Sequence, residues 1–437
     1  MEWWLALLII FGSFCILLVA GIPIAFCFML LNVMGVALLW GGGIGLTQLS
    51  LSIFDSLTMW ALLPLPLFII MGEVMFQSGM APYMMDTLDK WIGRLPGRLS
   101  LLAVGGGTLF ATLSGSSVAG TAILGSTLVP EMEKRGYKKP MCLGPILGSG
   151  GLAIMIPPSG LAVLLGALGE ISVGKLLIAI IIPGLLMATL YATYIIGRCI
   201  LQPHLAPVYE VPPIPLLEKI TAAAKYILPL GFIVLAVTGT IFFGIATPTE
   251  AAATGALATF ILAAVYRRLN WEVVKKSTLS ALQVTVMVFM IISGAMAFSQ
   301  IMAYTGATKG LIEIAVGLPV APIFIVAAMM VIVLLLGAFM DIVAIMMICL
   351  PIYVPVINAL GFDPAWFGVL FLLNIEMAMT TPPFGMTLFV MKGVAPRGTT
   401  MGDIFRAGLP FLYCDAVSMA LIIAFPAVAL WLPGLMR

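Results

Sequence analysis

The sequence predicts an all-α polytopic membrane protein folded as an inverted structural repeat, with two re-entrant helical hairpins and two discontinuous helices. Three observations predict it. Of 437 residues, 62% are hydrophobic and only 9% charged, where a soluble domain carries roughly 25% charged residues. Two proline pairs, in MIPPSG (Met155–Gly160) and TTPPFG (Thr380–Gly385), interrupt strongly apolar stretches. The pairs stand 225 residues apart, and the same spacing relates Pro23 to Pro248, Pro130 to Pro355, Gly136 to Gly361 and Gly160 to Gly385.

A membrane helix needs roughly 20 apolar residues. MEWWLALLII lacks the positive opening of a cleaved signal peptide, so it is expected to begin the first span, 3–20. Further stretches of crossing length lie at 22–40, 54–77, 142–168 and 174–199, then at 226–243, 248–266, 280–303, 365–391 and 408–432. Two apolar regions do not fit as single spans. Residues 99–131 are interrupted by LSGSSVAG (Leu113–Gly120), and 321–357 by GAFMD (Gly337–Asp341). Each arm, about 13–18 residues, is short for a crossing, so arms meeting at a small, polar tip are read as a hairpin. The alternative is an ordinary span whose hydroxyls bond back to their own helix.

The repeat divides the chain into halves 1–200 and 225–437, joined by a polar, proline-rich cytoplasmic linker at 201–224. Each half holds five crossings and one hairpin. An odd number of crossings turns the second half over relative to the first. Charge tests this, because Lys and Arg mark the cytoplasmic side. The loops around the first hairpin are basic (Lys90, Arg94, Arg98; Lys134, Arg135, Lys138, Lys139), whereas Lys309, Glu313 and Asp363 flank the second. Following the crossings, every Lys and Arg of the 20 except Lys175, Lys309 and Arg437 falls inside. Both termini are then expected on the periplasmic side.

Several functions are disfavoured. The net charge is +2 with no basic patch interleaved with aromatics, so no nucleic-acid partner is expected. Cys15, Cys27, Cys142, Cys199, Cys349 and Cys414 are scattered and form no CxxC pair, which points to neither zinc nor a disulfide framework. The single histidine, His204, lies in the linker. No P-loop motif is present, and the glycines at Gly105–Gly107 follow no strand, so they are read as close helix packing. An intramembrane enzyme would need a base beside Ser114–Ser117, and no intramembrane His or Lys serves them. No cofactor is expected.

Irregular backbone at membrane depth is tolerated only against protein or a water-filled cavity. Inverted repeats with discontinuous helices are a secondary-transporter architecture, in which half-helix N-termini face anions and unwound carbonyls hold cations. Pro157–Pro158 and Pro382–Pro383 remove N–H donors, which leaves upstream carbonyls free. Candidate sodium ligands follow. The first tip and broken span offer Ser114, Gly115, Ser116 and Ser117 with Gly148, Ser149, Gly150, Pro157 and Pro158. The second offers Gly337 and Asp341 with Asn374, Thr380, Thr381, Pro382, Pro383 and Gly385. Oxygen ligands suit a hard cation; small hydroxyl residues also serve helix packing. Ser116, Ser159, Thr381 and Phe384 are candidates for a bound anion, since no Lys or Arg lies deep in a span.

An acid at membrane depth is a functional hypothesis by default. Asp341 and Glu376 are the clearest. Glu376 is open to an ion or proton role, to pairing with a partner's basic group, or to a protonated structural role. Glu73 is read as interfacial, and Glu250 as a favourable first-turn acid after Pro248.

With these residues in hand, the chain resembles the large membrane subunit of the tripartite ATP-independent periplasmic (TRAP) transporters. The resemblance rests on GIPIAF, LPLPLFIIMGEVMFQSGM, LSGSSVAGTAILG, LVPEMEKRGY, IPPSG, ATPTEAAATGA, FMDIVAIM, LPIYVPV and TTPPFGMTLFV, in order along nearly the whole length. It implies an elevator-type fold of the wider ion-transporter superfamily in a bacterial inner membrane. It implies sodium-coupled import of an organic anion, such as a C4-dicarboxylate, sialic acid or another sugar acid. It implies a small four-helix membrane subunit, expected on a separate chain because this one opens directly at MEWW, and a periplasmic solute-binding protein. A stand-alone sodium- or proton-coupled anion symporter or antiporter of the same superfamily is the alternative, and a channel-like scaffold would show flux without sodium coupling.

Overall fold

Among the described residues all regular structure is helical, as expected of a chain that must satisfy its own backbone in hydrocarbon. The computed structural model describes residues 2–39, 43–93, 95–114, 117–207, 214–338, 340–383 and 385–436, without side chains at 39, 81 and 110–114.

α1 (Trp3–Val19) and α2 (Ile24–Leu39) part at Gly21, whose φ of 79° is left-handed and suits glycine. α3 (Gly43–Leu57) is a separate helix, and α4 (Pro64–Gln77) follows a tight turn at Trp60–Leu62. The expected span 54–77 is therefore corrected: residues 54–57 close α3 and the crossing runs Trp60–Gln77, because Pro64 restarts a helix at its first position. α5 (Ala81–Ile92) leads to the first hairpin, α6 (Arg98–Ser114) and α7 (Ser117–Lys134). α8 (Lys139–Met155) and α9 (Gly160–Leu168) form the first broken span, bent by 48°. α10 (Val173–Ala179) and α11 (Ile181–Leu201) run on as one segment.

The linker expected at 201–224 is not all loop: α12 (Leu216–Tyr226) starts inside it and meets α13 (Leu228–Phe242) at 46°. α14 (Pro248–Val265) opens on a capping box between Thr247 and Glu250, in keeping with a first-turn acid at Glu250. α15 (Trp271–Tyr304) runs 34 residues and outreaches the expected 280–303, because Asn270 caps it early. Then come α16 (Ala307–Gly317), the second hairpin of α17 (Pro322–Gly337) and α18 (Ile342–Ala359), the second broken span of α19 (Pro364–Thr380) and α20 (Met386–Val394), and finally α21 (Met401–Ala424) and α22 (Ala427–Leu430). From α13 onward the order long helices, short helix, hairpin, broken span, last span repeats that of the first half.

Among the described residues six helices are long and apolar enough to cross a membrane, or up to eight with each bent pair taken as one. Ten spans were expected; α1, α2 and α19, at 16–17 residues, fall short by length. One hairpin arm, α18, reaches crossing length, so length alone does not mark it as re-entrant.

The core centres on the two broken spans. α8 is buried from Met141 to Met155 and α19 from Ala365 to Thr380. α6 and α7 lie against α8, α17 and α18 lie against α19, and α8 touches α19 directly. Glycine makes the closest contacts possible. A Cβ at Gly148 would stand 2.5 Å from Phe411 Cδ1 and one at Gly144 2.7 Å from its Cε2, so α21 sits against bare backbone.

Ion pairs mark the ends. Arg98 forks onto Asp89 at 2.7 and 2.6 Å, Lys90 meets Glu218 at 3.2 Å, and Lys139 meets Asp403 at 2.7 Å. The Lys139 hydrogen bond, with the amide and hydroxyl of Thr400, holds the Asp403 carboxyl well below its ordinary range. Burial pushes Asp363 up, but Lys175 and the amides of Ala365 and Trp366 outweigh it and hold that carboxyl low. Arg94 and Arg437, counted in the topology, lie outside the described residues.

Candidate functional site

At the first break α8 ends at Met155, Ile156 is extended, and Pro157–Pro158 is a cis peptide. Ser159 starts α9 as its N-cap, its Oγ accepting from the Ala162 amide at 3.3 Å. This expected anion residue is therefore engaged as a cap and almost fully buried. Gly184 of α11 passes close to the Met155 carbonyl.

At the second break Thr381 is extended after α19 and Pro382–Pro383 is also cis. The expectation that upstream carbonyls stay free needs correction here. Thr380 and Thr381 both donate to Met377 O, at 3.1 and 2.6 Å, and Thr387 donates back across the break to Met379 O at 2.7 Å. Three side-chain hydroxyls replace the lost helical donors. A hydroxyl that donates its hydrogen keeps its lone pairs, so Thr380 and Thr381 remain able to face a cation. Gly385 fronts the Met379 and Thr381 carbonyls, where a Cβ would collide.

The first tip lies where the two broken spans cross. Ser117, the first residue of α7, donates from Oγ to Glu376 Oε2 at 3.1 Å. A Cβ at Gly150 would lie 3.3 Å from Ser117 O and 2.9 Å from Thr121 Oγ1. One at Gly151 would lie 2.5 Å from Glu376 Cγ and 2.6 Å from its Oε1. Gly151 and Glu376 are themselves 225 apart in sequence, so equivalent positions of the two repeats touch. Of the GSGG stretch, Gly150 faces the tip, Gly148 faces Phe411, and Ser149 donates to Ile146 O at 3.0 Å beside Gly107. Ser114 ends α6 and its side chain is not described; Gly115, Ser116 and Phe384 lie outside the described residues.

The second tip is arranged differently. Gly337 is seated on Ala378 of α19. Asp341 caps α18, accepting from the Val343 amide at 3.0 Å. It also lines an apolar groove of about 720 Å³ shared with Pro23 and the start of α2, Ile24–Phe26, and with residues of α15 between Leu279 and Ile291. Asn374 donates to Met330 O on arm α17 at 2.5 Å, away from the tip. A second cavity, about 290 Å³, opens between the end of α9, α15 and α18, and neither proline pair lines it.

Two residues of this region escaped the sequence reading. Asp415 of α21 is buried within electrostatic reach of Glu376. Tyr191 of α11 is fully buried and donates to Asp415 Oδ1. Asp415 carried the same signal as Asp341, a lone acid in the apolar run FLYCDAVSM; Tyr191 carried none. Glu73 accepts from Gln77 at 3.2 Å, one turn on. Among the described residues no three His, Cys, Asp or Glu converge. The donor set is one of hydroxyls, carbonyls and single carboxylates, which fits a hard monovalent cation better than a transition metal.

Comparison with known proteins follows the same lines. The family described as tripartite ATP-independent periplasmic transporter, DctM component, matches residues 11–428. The chain is 33% identical over 390 residues to the C4-dicarboxylate TRAP transporter large permease protein DctM of Pseudomonas aeruginosa, covering 89% of each. It is 30% identical to the ectoine TRAP transporter large permease protein TeaC of Halomonas elongata, over 96% of this chain and 97% of that one. In fold it is similar to the YdaH transporter of Alcanivorax borkumensis, with a TM-score of 0.63 at 15% identity over 90% of this chain and 91% of that one.

Proposed function

The chain belongs to the DctM-component family of tripartite ATP-independent periplasmic transporters, as a multi-pass large permease, and on that premise we propose that it couples the import of an organic anion to sodium. One observation carries this reading. A hairpin tip and both broken spans converge on a buried, oxygen-rich junction at Ser117, Gly150 and Glu376.

Sodium is assigned to two places. The first is the SGSS tip, Ser114–Ser117, with Gly150. The second is the tip from Gly337 to Asp341 with Thr380, Thr381 and the break at Pro382–Pro383. Sodium at a tip would neutralise exposed carbonyls and fix the hairpin arms. The anion, a carboxylate of the kind named for the C4-dicarboxylate relative, would be held by tip amides and hydroxyls, because among the described residues no Lys or Arg acts on Glu376 or Asp415. Each charge must be neutralised before the loaded element crosses, since unpaired charge in hydrocarbon is costly. The hairpins and broken spans would then slide as one unit against α2, α4, α14 and α15. A small four-helix membrane subunit would widen that support, and a periplasmic solute-binding protein would deliver the cargo. The inner membrane, with both termini outward, completes the arrangement.

The test is uptake into proteoliposomes holding this chain with a TRAP small membrane subunit and a periplasmic solute-binding protein. An inward sodium gradient is expected to drive accumulation of a C4-dicarboxylate or sugar-acid probe delivered by its receptor. Equal uptake on a potassium gradient contradicts the reading. Labelling of cysteines placed at each terminus from the periplasmic side tests the orientation.

A further inference from the structure

An open groove of about 550 Å³ runs between α13 and α14, and neither proline pair lines it. Pro229, Phe232 and Thr240 line it on α13, and Thr254, Ile261 and Val265 on α14. Phe232 and Val265 are 73% and 71% exposed, so the groove faces outward. Its only polar lining side chains among the described residues are the two threonines, and both donate back into their own helices. Thr240 bonds to Val237 O at 3.0 Å and Thr254 to Glu250 O at 2.9 Å. The walls therefore ask for neither water nor a polar partner.

The length of the groove and the chemistry at one end define what fits it. Pro229–Thr240 and Thr254–Val265 each rise about 16 Å at 1.5 Å per residue, close to the roughly 15 Å of hydrocarbon in one leaflet. At the Pro229 and Val265 end, three tyrosines stack. Tyr83 of α5 lies on Tyr226 of α12 with centroids 5.2 Å apart, and Tyr226 lies on Tyr266, just past α14, at 6.1 Å. Tyr266 also donates to Lys225 O, which ties α12 to the end of α14. Tyrosine settles at headgroup depth, and α12, with no buried residue, exposes Leu216, Leu217 and Ile220 as an interfacial helix does.

Cations stand on this stack. The Arg268 guanidinium lies 5.3 Å from the Tyr83 centroid and donates to its hydroxyl, and Lys225 Nζ lies 5.3 Å from the Tyr226 centroid. Among the described residues Lys225, Arg267 and Arg268 make no ion pair, whereas Lys90 of α5 and Lys276 of α15 are taken by Asp86, Glu218 and Glu272. Arg267 follows α14 at a φ of 56°, a left-handed position that favours glycine, so a cation is kept where it is strained. All three lie within four residues of Pro229 or Val265 in sequence.

We propose that this groove binds one anionic phospholipid, its phosphate held by Lys225, Arg267 and Arg268 and an acyl chain laid along α13 and α14. Basic residues mark the cytoplasmic side, and anionic lipids populate that leaflet. In the transport scheme above the lipid fastens the static support, since α14 packs on α4; the binding itself stands apart from that scheme.

Native mass spectrometry of the purified, delipidated chain tests it, with phosphatidylglycerol or phosphatidylcholine of identical acyl chains added back. One phosphatidylglycerol is expected to stay bound under activation that strips phosphatidylcholine. Lys225→Gln and Arg268→Gln should each weaken its binding roughly fivefold. Arg267→Gly should weaken it likewise while the lipid-free thermal midpoint holds or rises, which separates lost binding from lost folding. Ala236→Phe, at an exposed lining position, should cut retention with the cations intact. Equal retention of the two lipids, wild-type binding in all four variants, or competition by inorganic phosphate as effective as by phosphatidylglycerol overturns the proposal. Displacement of the lipid by a TRAP small membrane subunit would make the groove a protein interface and overturns it too. Equal retention leaves sodium-driven uptake untouched, and uptake indifferent to sodium leaves the lipid site untouched.

Discussion

Replacing Gly151 with Ala tests whether the two broken spans meet as described. The added Cβ would lie 2.5 Å from Glu376 Cγ, where carbon atoms rest at about 3.5–4.0 Å. The shortfall is about 1 Å. Cγ stands near the root of its side chain, so swinging the carboxyl tip aside does not relieve the contact. α8 and α19 must part, or Glu376 must leave its rotamer and its bond to Ser117. Overpacking of this kind costs about 1–3 kcal/mol. The assay is the apparent thermal midpoint of the purified chain, followed by tryptophan fluorescence. Gly151→Ala should lower it, whereas Gly197→Ala in α11, with nothing within 4 Å, should leave it unchanged or raise it slightly, since helix propensity adds up to about 1 kcal/mol of stability. In a Glu376→Ala background the Gly151→Ala penalty should shrink by about 0.5–3 kcal/mol, the coupling expected of touching residues. An unchanged midpoint for Gly151→Ala, or equal penalties in the two backgrounds, would refute the contact.

Pro382→Ala with Pro383→Ala restores two backbone donors and should let α19 close onto α20, so sodium-driven uptake should fall at least tenfold with membrane insertion intact; unaltered uptake counts against the break as a site. Asp341→Asn keeps an N-cap on α18 but no charge, and should raise the sodium concentration for half-maximal uptake, while Asp341→Ala should also destabilise by about 1 kcal/mol through the lost cap; a wild-type sodium titration of the Asn variant rules out the carboxylate. Asp403 is held low mainly by Lys139, so the pair's contribution should be constant from neutral pH down to the ordinary Asp value near about 3.9 and fade only in stronger acid. The pair is only partly buried and should weaken with salt; acid lability already at pH 6 that Asp403→Asn abolishes would contradict it.

Much of this architecture was legible because hydrocarbon imposes length and the repeat imposes register. The proline pairs, the glycines around them and the SGSS and FMD tips all declare interrupted helices in the sequence. Less legible were helices too short or too polar to cross, such as α3 and α12, which a search for long apolar stretches passes over. The closing of the second break by Thr387, whose hydroxyl returns eight residues to Met379, depends on a bend that periodicity does not specify. The Tyr191–Asp415 bond joins residues 224 positions apart, and only the packing of α11 on α21 brings them together. Asp341 was placed at the second hairpin tip, and there its carboxylate caps α18, beside an apolar groove that the sequence does not announce.

The proposed transport requires that the matched interruptions in the two helices bind a cation at membrane depth. The most direct measurement is sodium binding by the purified chain in lipid, followed by isothermal titration with sodium chloride against a potassium chloride blank. Saturable sodium binding is expected in the wild type, reduced in Ser117→Ala and in Asp341→Asn. Heat identical for sodium and potassium in the wild type, or sodium binding untouched in both variants, would contradict it.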